Sequence, residues 1–234
     1  MTQKKQTRRS SIGIMLVVGW LALPVMTAAA SEPDTGWRLR FYAASIDFDN
    51  SDAAAWQSHR SSYDVDFGFG LGVNAEYRFS RRLGVDVGIL GGAAVDVAWN
   101  TVEVGQWVWA AHDTLTFTPM TAGLDIHLTP DKNVDLYFCP MLAWIHYGGL
   151  VVYSGSGWTE TTIDFDQDLA VGAALGLGVP FGEREQWSFI ANLTYLESAL
   201  ESDGWVGGRI AGDYDATMFG LGFGYRFRGP HRDS

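Results

Sequence analysis

The sequence predicts an all-β protein, an eight-stranded antiparallel transmembrane up-and-down β-barrel, and three observations carry that prediction. Apolar residues alternate with small or charged ones over stretches much longer than a soluble strand, such stretches number eight, and the connections between them alternate short and long. In "DVDFGFGLGVNAEYRF", Asp64 to Phe79, the odd positions Val65, Phe67, Phe69, Leu71, Val73, Ala75, Tyr77 and Phe79 are apolar, while the even positions carry Asp64, Asp66, Glu76, Arg78, glycines and Asn74. A period of two means a strand with two unlike faces. Soluble strands average about 5–6 residues, whereas barrel strands that cross a bilayer run about 9–11 residues with a small or polar inner face.

The segments follow in order. The first, near 36–48, opens with Trp37 and sets Arg38 and Arg40 on one face. The second, near 63–79, is the stretch just quoted. In the third, near 82–99, the series Leu83, Val85, Val87, Ile89, Gly91, Ala93, Val95, Val97 and Trp99 alternates with Asp86, Gly88, Gly92 and Asp96, which places the odd series on lipid. The fourth and fifth, near 107–128 and 134–148, are the least regular. The sixth, near 163–181, sets Phe165, Leu169, Val171, Leu175, Leu177 and Val179 against Asp166, Asp168, Gly172, Gly176 and Gly178. The seventh lies near 186–197. In the eighth, near 213–227, Phe219, Leu221, Phe223, Tyr225 and Phe227 alternate with Gly220, Gly222, Gly224 and Arg226.

An even number of strands closes a barrel, and closure is required because the bilayer offers no water to the unpaired backbone groups of a sheet edge. The connections at Ser80-Arg81, "TPDKN" and "GEREQ" are short, while those near 49–62, 100–112, 149–162 and 198–212 are long. Short periplasmic turns and long external loops are the outer-membrane pattern, which predicts that both termini are periplasmic. Trp37, Tyr77, Phe79, Phe181, Trp187, Tyr225 and Phe227 make one expected aromatic girdle, with Trp99, Trp107, Trp109, Phe165, Tyr195 and Phe219 opposite.

Residues 1–30 read as a secretory signal peptide: Lys4, Lys5, Arg8 and Arg9 precede the run "IGIMLVVGWLALPVM", and Ala28 and Ala30 have the spacing of a cleavage site. Residues 31–234 are then the outer-membrane barrel, with the last strand ending near 227 before a short periplasmic tail. Removing residues 1–30 takes away four basic residues and no acid, so 12 basic residues face 27 acidic ones and the formal charge moves from −11 to −15. Nucleic acid is excluded as a partner on that balance. The single cysteine, Cys139, forms no intramolecular disulfide.

A barrel of eight strands is only wide enough to be filled by side chains or to hold one small ligand. Near the periplasmic end the inward series collects Arg38, Arg40, Glu76, Arg78, Asp86, Asp125, His127 and Arg226. Two readings follow, an ionic plug that satisfies buried charge or a gated pore. Further along, Gly68, Gly70, Gly72, Gly88, Gly92, Gly172, Gly176, Gly220 and Gly222 leave a bare wall. It is either a cavity for a small apolar molecule or curved strands facing bulky partners such as Tyr137, Met141 and Met218. At the outer ends Asp47, Asp49, Asp64, Asp66, Asp213 and Asp215 form an acidic rim, either solvated or a weak metal candidate that divalent cations bridge to lipopolysaccharide. "DFDQD" lacks the turn glycine and terminal Glu of a calcium loop.

No enzyme is expected. Among His59, His112, His127, His146 and His231, only His59 lies beside serines, Ser58 and Ser61, and none sits in a nucleophile motif. No phosphate loop, zinc spacing or dinucleotide fingerprint occurs, so no cofactor is expected. Trp56, Trp158 and Trp205 in the long loops suit a lipid interface or a partner.

The terminal "GLGFGYRF" resembles the signal that the barrel-assembly machinery reads, with Gly222, Tyr225 and Phe227 in place and seven residues following. The stretches "GWRLRFYAASIDFDNSD", "TFTPMTAGLDIHLTP", "VDLYFCPMLAWIHY" and "DFDQDLAVGAALGLGVPFGEREQWSFIANLTYLES" resemble, in order and spacing, the OmpW family of eight-stranded outer-membrane proteins. Where that family reads Pro-Tyr-x-Gly-x-Gly, this chain has Pro140-Met141-Leu142-Ala143-Trp144. The resemblance implies an outer-membrane barrel that binds or passes small apolar molecules. The alternative is a structural or interaction barrel with a closed lumen whose loops contact lipopolysaccharide or partners. The implied partners are outer-membrane lipids and lipopolysaccharide, the barrel-assembly machinery, and a small apolar ligand.

Overall fold

The computed structural model describes residues 35–49, 60–102, 108–130, 133–154, 159–182, 185–205, 208–213 and 215–227. Twelve strands are assigned: β1 (Gly36–Asp49), β2 (Arg60–Arg78), β3 (Leu83–Val102), β4 (Val108–His127), β5 (Asp135–Tyr147), β6 (Leu150–Ser154), β7 (Thr159–Ile163), β8 (Asp168–Phe181), β9 (Trp187–Glu197), β10 (Ala199–Trp205), β11 (Gly208–Asp213) and β12 (Asp215–Arg226). Eight of them run β3-β2-β1-β12-β9-β8-β5-β4, and β4 pairs back onto β3. The barrel is closed. Every ladder in it is antiparallel.

The turns are built by local side-chain chemistry. Between β2 and β3, Ser80 Oγ accepts from the backbone N–H of Leu83 at 3.0 Å. Between β4 and β5, Thr129 Oγ1 accepts from Leu136 N–H at 2.8 Å and donates to Val134 O at 2.7 Å. Between β8 and β9, Gly182 takes φ +86°, a region that L side chains avoid. These turns and both ends of the barrel chain lie at one end, the turn end; the other is the loop end.

At the loop end the long connections are built largely as ladder. β3 runs to Val102 and β4 starts at Val108, so the stretch near 100–112 is mostly ladder. The stretches near 149–162 and 198–212 hold the hairpins β6–β7 and β10–β11, and β6 pairs with β4.

Alternation sorts the side chains as a bilayer requires. Phe41, Phe67, Phe69, Leu71, Val85, Val87, Leu175, Leu193, Leu221 and Phe223 are exposed on the outer face, while Arg40, Glu76, Arg78, Asp86, Asp125 and His127 are buried inside. At the turn end, Trp37 packs against Tyr77 with centroids 5.0 Å apart, Trp187 against Tyr225 at 4.8 Å, and Tyr225 against Phe227 at 4.9 Å. Tyr195 and Phe219 are exposed toward the loop end. The side chains of Trp99, Trp107 and Trp109 lie outside the described residues.

Two sequence expectations are corrected. Phe165 is not a girdle residue: at 9% exposure it belongs to the interior, because residues 164–167 leave the ladder and turn its ring inward. Leu83 is 1% exposed rather than lipid-facing, since it closes the β2–β3 turn. Past Ile89 the β3–β4 register shifts by one residue at a bulge before Ala93, and the side chains of residues 92–102 lie outside the described residues.

Leu221, 55% exposed in the middle of β12, gives a direct test of the outer face. Leu221→Arg is expected to lower unfolding free energy in lipid by about 2–4 kcal/mol, the cost of a basic side chain near the bilayer midplane. A surface facing water would change by less than about 0.5 kcal/mol, and that result in urea unfolding would argue against the lipid assignment.

Candidate functional site

Alternation on five consecutive strands brings charged residues to one level near the turn end. β1 supplies Arg38 and Arg40, β2 supplies Glu76 and Arg78, β3 Asp86, β4 Asp125 and His127, and β5 Asp135. Arg40 lies at the centre. Its Nη2 donates to Glu76 Oε2 at 2.5 Å and to Asp125 Oδ2 at 2.6 Å, its Nη1 reaches Asp86 Oδ2 at 3.4 Å, and its guanidinium sits over the Tyr137 ring, 4.4 Å from the centroid. Arg78 donates to Glu76 Oε1 at 3.2 Å and Asp135 Oδ2 at 2.7 Å and contacts His127. The His127 ring nitrogens face Glu76 Oε1 and Asp135 Oδ1, each at 2.8 Å. Arg38 donates to Asp135 Oδ2 at 2.9 Å. Asn74 Nδ2 donates to Asp86 Oδ1 at 2.6 Å, and Tyr42 donates to Asn74 Oδ1 at 3.0 Å.

The residues singled out in the sequence thus meet, with Arg226 at the barrel mouth beside Arg38. Asp135 was not singled out, although it accepts from Arg38 and Arg78. The signal was present, because Asp135 shares parity with Tyr137 and Cys139, but it lies two residues after the "TPDKN" turn. Asn74 and Tyr42 carry the same kind of signal, one step from Glu76 and Arg40 on the inner face.

Glu76, Asp125 and His127 bring one ligand atom each within 4.8 Å of one another, a spacing that suits a metal ion. Arg40 Nη2 stands between the two carboxylates at hydrogen-bonding distance from both, so a guanidinium supplies the positive charge there. Arginine pairs with carboxylates in this way where a buried anion needs several donors. The arrangement is a shared ion-pair network, and a cation would have to compete with Arg40 for it.

Toward the loop end the lumen changes character. Ala44, Ile46, Phe48, Leu90, Leu115, Phe117, Ala143, Ile145, Tyr147, Phe165, Ala170, Leu196, Ala216 and Met218 form one buried apolar cluster, with Tyr42 and Met141 packed against it. Phe117 meets Phe48 edge-on at 5.2 Å and Tyr147 at 5.8 Å. A cavity of about 30 Å³ lies between this cluster and the charges, lined by Asp86, Asp125, Thr121, Thr194 and Asn192 among others. A second cavity, of about 120 Å³, lies at the turn end. Arg40 and Tyr137 line both and so form the partition.

The glycine wall accommodates aromatic rings. A Cβ at Gly72 would overlap the Tyr42 ring, and one at Gly176 the Tyr137 ring. At these positions bulky partners, rather than empty space, face the glycines.

Of the acidic rim, Asp47 is exposed, Asp49 and Asp215 are opposed in the β1–β12 register, and Tyr195 donates to Asp215. The side chains of Asp49, Asp64, Asp66 and Asp213 lie outside the described residues, as do His59, His231, Trp56 and Trp158 and the side chains of His112 and Trp205. Gly222 lies against the backbone of Phe41 and Tyr42, while the Tyr225 and Phe227 rings meet edge-on.

Comparison with known proteins agrees with this architecture. The model of the outer membrane protein beta-barrel domain family matches residues 15–227. The crystal structure of the outer membrane protein OprG from Pseudomonas aeruginosa superposes with a TM-score of 0.61 at 14% identity, covering 85% of this chain and 99% of that one. The solid-state NMR structure of the outer membrane protein AlkL in lipid bilayers gives 0.50 at 14% identity, covering 88% and 96%. No curated protein sequence matches significantly. Both structures share the OmpW-like barrel fold. With a closed eight-stranded barrel, an apolar outer face and a family match over nearly all its length, this chain belongs to the outer membrane protein β-barrel domain family.

Proposed function

We propose that this outer-membrane barrel takes small apolar molecules into the loop-end half of its lumen and releases them sideways into the bilayer, while its charge layer keeps ions and polar solutes out. The observation that carries this reading is the division of one lumen into an apolar layer and an ion-paired layer centred on Arg40, with Arg40 and Tyr137 closing the lumen between its two cavities. An apolar solute meets compatible surroundings only in the first layer, and crossing the second would separate buried ion pairs at several kcal/mol each. A sideways exit is supported at the junction of the layers. There the β3–β4 ladder is interrupted between Ile89–Met120 and Ala93–Phe117. Leu90 and Pro119 from that break line the cavity between the layers, and proline has no N–H to give to a ladder. Entry requires the rings of Phe48 and Phe117 to move, since the apolar layer is filled by its own side chains.

In this reading residues 1–30 are removed on export, both termini face the periplasm, and the apolar face sits in outer-membrane lipid. Gly222, Tyr225 and Phe227 are presented to the barrel-assembly machinery during insertion. Proteoliposomes test the transport. Uptake of an apolar fluorescent probe should exceed that of protein-free liposomes, while ion leakage stays at the lipid background. Steady ionic current, or uptake equal to lipid alone, would overturn the reading.

A second reading has its own observation. β2, β3 and β4 run 19, 20 and 20 residues, against the roughly 9–11 that cross a bilayer. β6 and β7 widen this sheet beyond the membrane. A raised sheet beside an acidic rim suits contact with lipopolysaccharide through bridging divalent cations, or with a partner. Replacing the β6–β7 hairpin by a short linker separates the two: transport should survive, and lipopolysaccharide binding should fall.

A further inference from the structure

We infer that the cavity between the two layers binds the head group of an amphipathic molecule, a primary alkylammonium, with Asp125 as its acceptor and its alkyl chain among the apolar residues of the loop-end layer. This deepens the reading above and rests on it for the route by which the chain enters. One buried acceptor is orphaned. Asp125 is fully buried and lines the cavity. Its Oδ2 accepts from Arg40 at 2.6 Å, whereas its Oδ1 accepts no hydrogen bond among the described residues. The Cys139 thiol lies beside that carboxylate, but a thiol is a weak donor. Leaving a buried carboxylate oxygen without a donor costs more than leaving a neutral one so, and a ligand that brings an N–H to it removes that cost.

The wall is also acidic. Arg40 lines the cavity with two carboxylates, Asp86 and Asp125, and is shared with a third, Glu76. Asp86 Oδ1 accepts from Asn74 at 2.6 Å, while its Oδ2 stands 3.4 Å from Arg40. One guanidinium divided among three carboxylates favours a cationic head over a neutral or anionic one. An ammonium brings three N–H donors and no acceptor. Thr121 and Thr194 add hydroxyl oxygens to the same wall. A water-sized group needs on the order of 10–15 Å³, so a cavity of about 30 Å³ takes the nitrogen and its first methylene. Beside them Leu90 and Met218 of the apolar cluster, and Met141 packed against it, line the cavity. An apolar pocket with a few convergent polar groups is the usual way to orient a small ligand.

The head stops at this level. Arg40 and Tyr137 close the lumen beyond it, so the ammonium is held at the charge layer and does not pass through it.

The methionines supply the test. Beyond residue 30 they are Met120, Met141 and Met218. Met141 and Met218 line the cavity, while Met120 is 40% exposed on the outer face and reports partition into detergent. With methyl-labelled methionine in a nonionic maltoside at neutral pH, n-octylamine should shift the Met141 and Met218 methyl resonances saturably and leave Met120 in place. It should bind about tenfold or more tighter than n-octanol or n-octane, as for a charge-assisted hydrogen bond, and octanoate should bind weakest. Asp125→Asn should remove the preference for octylamine and leave the response to octane. Octylamine binding no tighter than octanol or octane overturns the head-group site, and so does a preference undiminished in folded Asp125→Asn. In either case a saturable octane response at Met141 and Met218 leaves the apolar reading standing. Shifts that Met120 shares equally, or no response of Met141 and Met218 to any of the four probes, overturn both. The wild-type series decides the matter even if the variant fails to fold.

Discussion

Replacing Glu76 by Ala is expected to lower the stability of the folded barrel by about 3–5 kcal/mol, the range for removing one partner of a buried ion pair. Glu76 is the hub of the network. It accepts from Arg40 at 2.5 Å and Arg78 at 3.2 Å, and its Oε1 lies 2.8 Å from His127. Without it, Arg78 keeps Asp135 and Arg40 keeps Asp125 and Asp86, but the bond between the two halves of the layer is gone. Ion leakage should therefore rise as stability falls. Glu76→Gln keeps the volume and part of the hydrogen bonding, so its loss should be smaller while leakage still increases. Urea unfolding and single-channel recording of wild type and both variants in the same bilayers measure the two effects. A large, steady wild-type conductance that neither substitution alters would refute the barrier assigned to this layer.

Phe117→Ala is expected to separate the two layers functionally. The ring is fully buried against Phe48 and Tyr147, and truncating a buried Phe costs about 3–5 kcal/mol through lost burial and the cavity left behind. An apolar cavity of that kind stays dry and accepts apolar molecules. Stability should thus drop about as far as in Glu76→Ala, yet the other readouts should diverge. Uptake of the apolar probe should increase and ion leakage should not, because Arg40 and its partners remain. Equal leakage from the two variants would mean that the apolar layer, rather than the charges, holds ions back.

Much of this architecture was legible because alternation is a local property. The exposed faces of Phe67, Phe69 and Leu71 and the buried Glu76 and Arg78 follow from parity alone, and the same parity carried Arg38, Arg40, Asp86, Asp125 and His127 inward. It failed where the chain leaves regular geometry. Beyond Ile89 a bulge shifts the β3–β4 register by one residue, and glycines on both sides of that point gave no contrast from which to place it. Phe165 looked like the first member of an alternating series, but it precedes β8 and packs inward. Asp135 was passed over beside a turn rich in polar residues, although it connects Arg38, Arg78 and His127.

The sequence by itself determined the number of barrel strands, their approximate ends, most of the outward-facing apolar series and the gathering of the short turns at one end. These depend on the period of two and on turn residues, and both are written within a few positions of one another. Which charges pair, and whether the lumen is bare or filled, was decided only by the tertiary structure. Arg40 reaches Asp86 and Asp125 across 46 and 85 residues of chain, and Gly72 and Gly176 are small because the Tyr42 and Tyr137 rings lie over them. Register around a closed barrel fixes such meetings, and register is a property of all eight strands together.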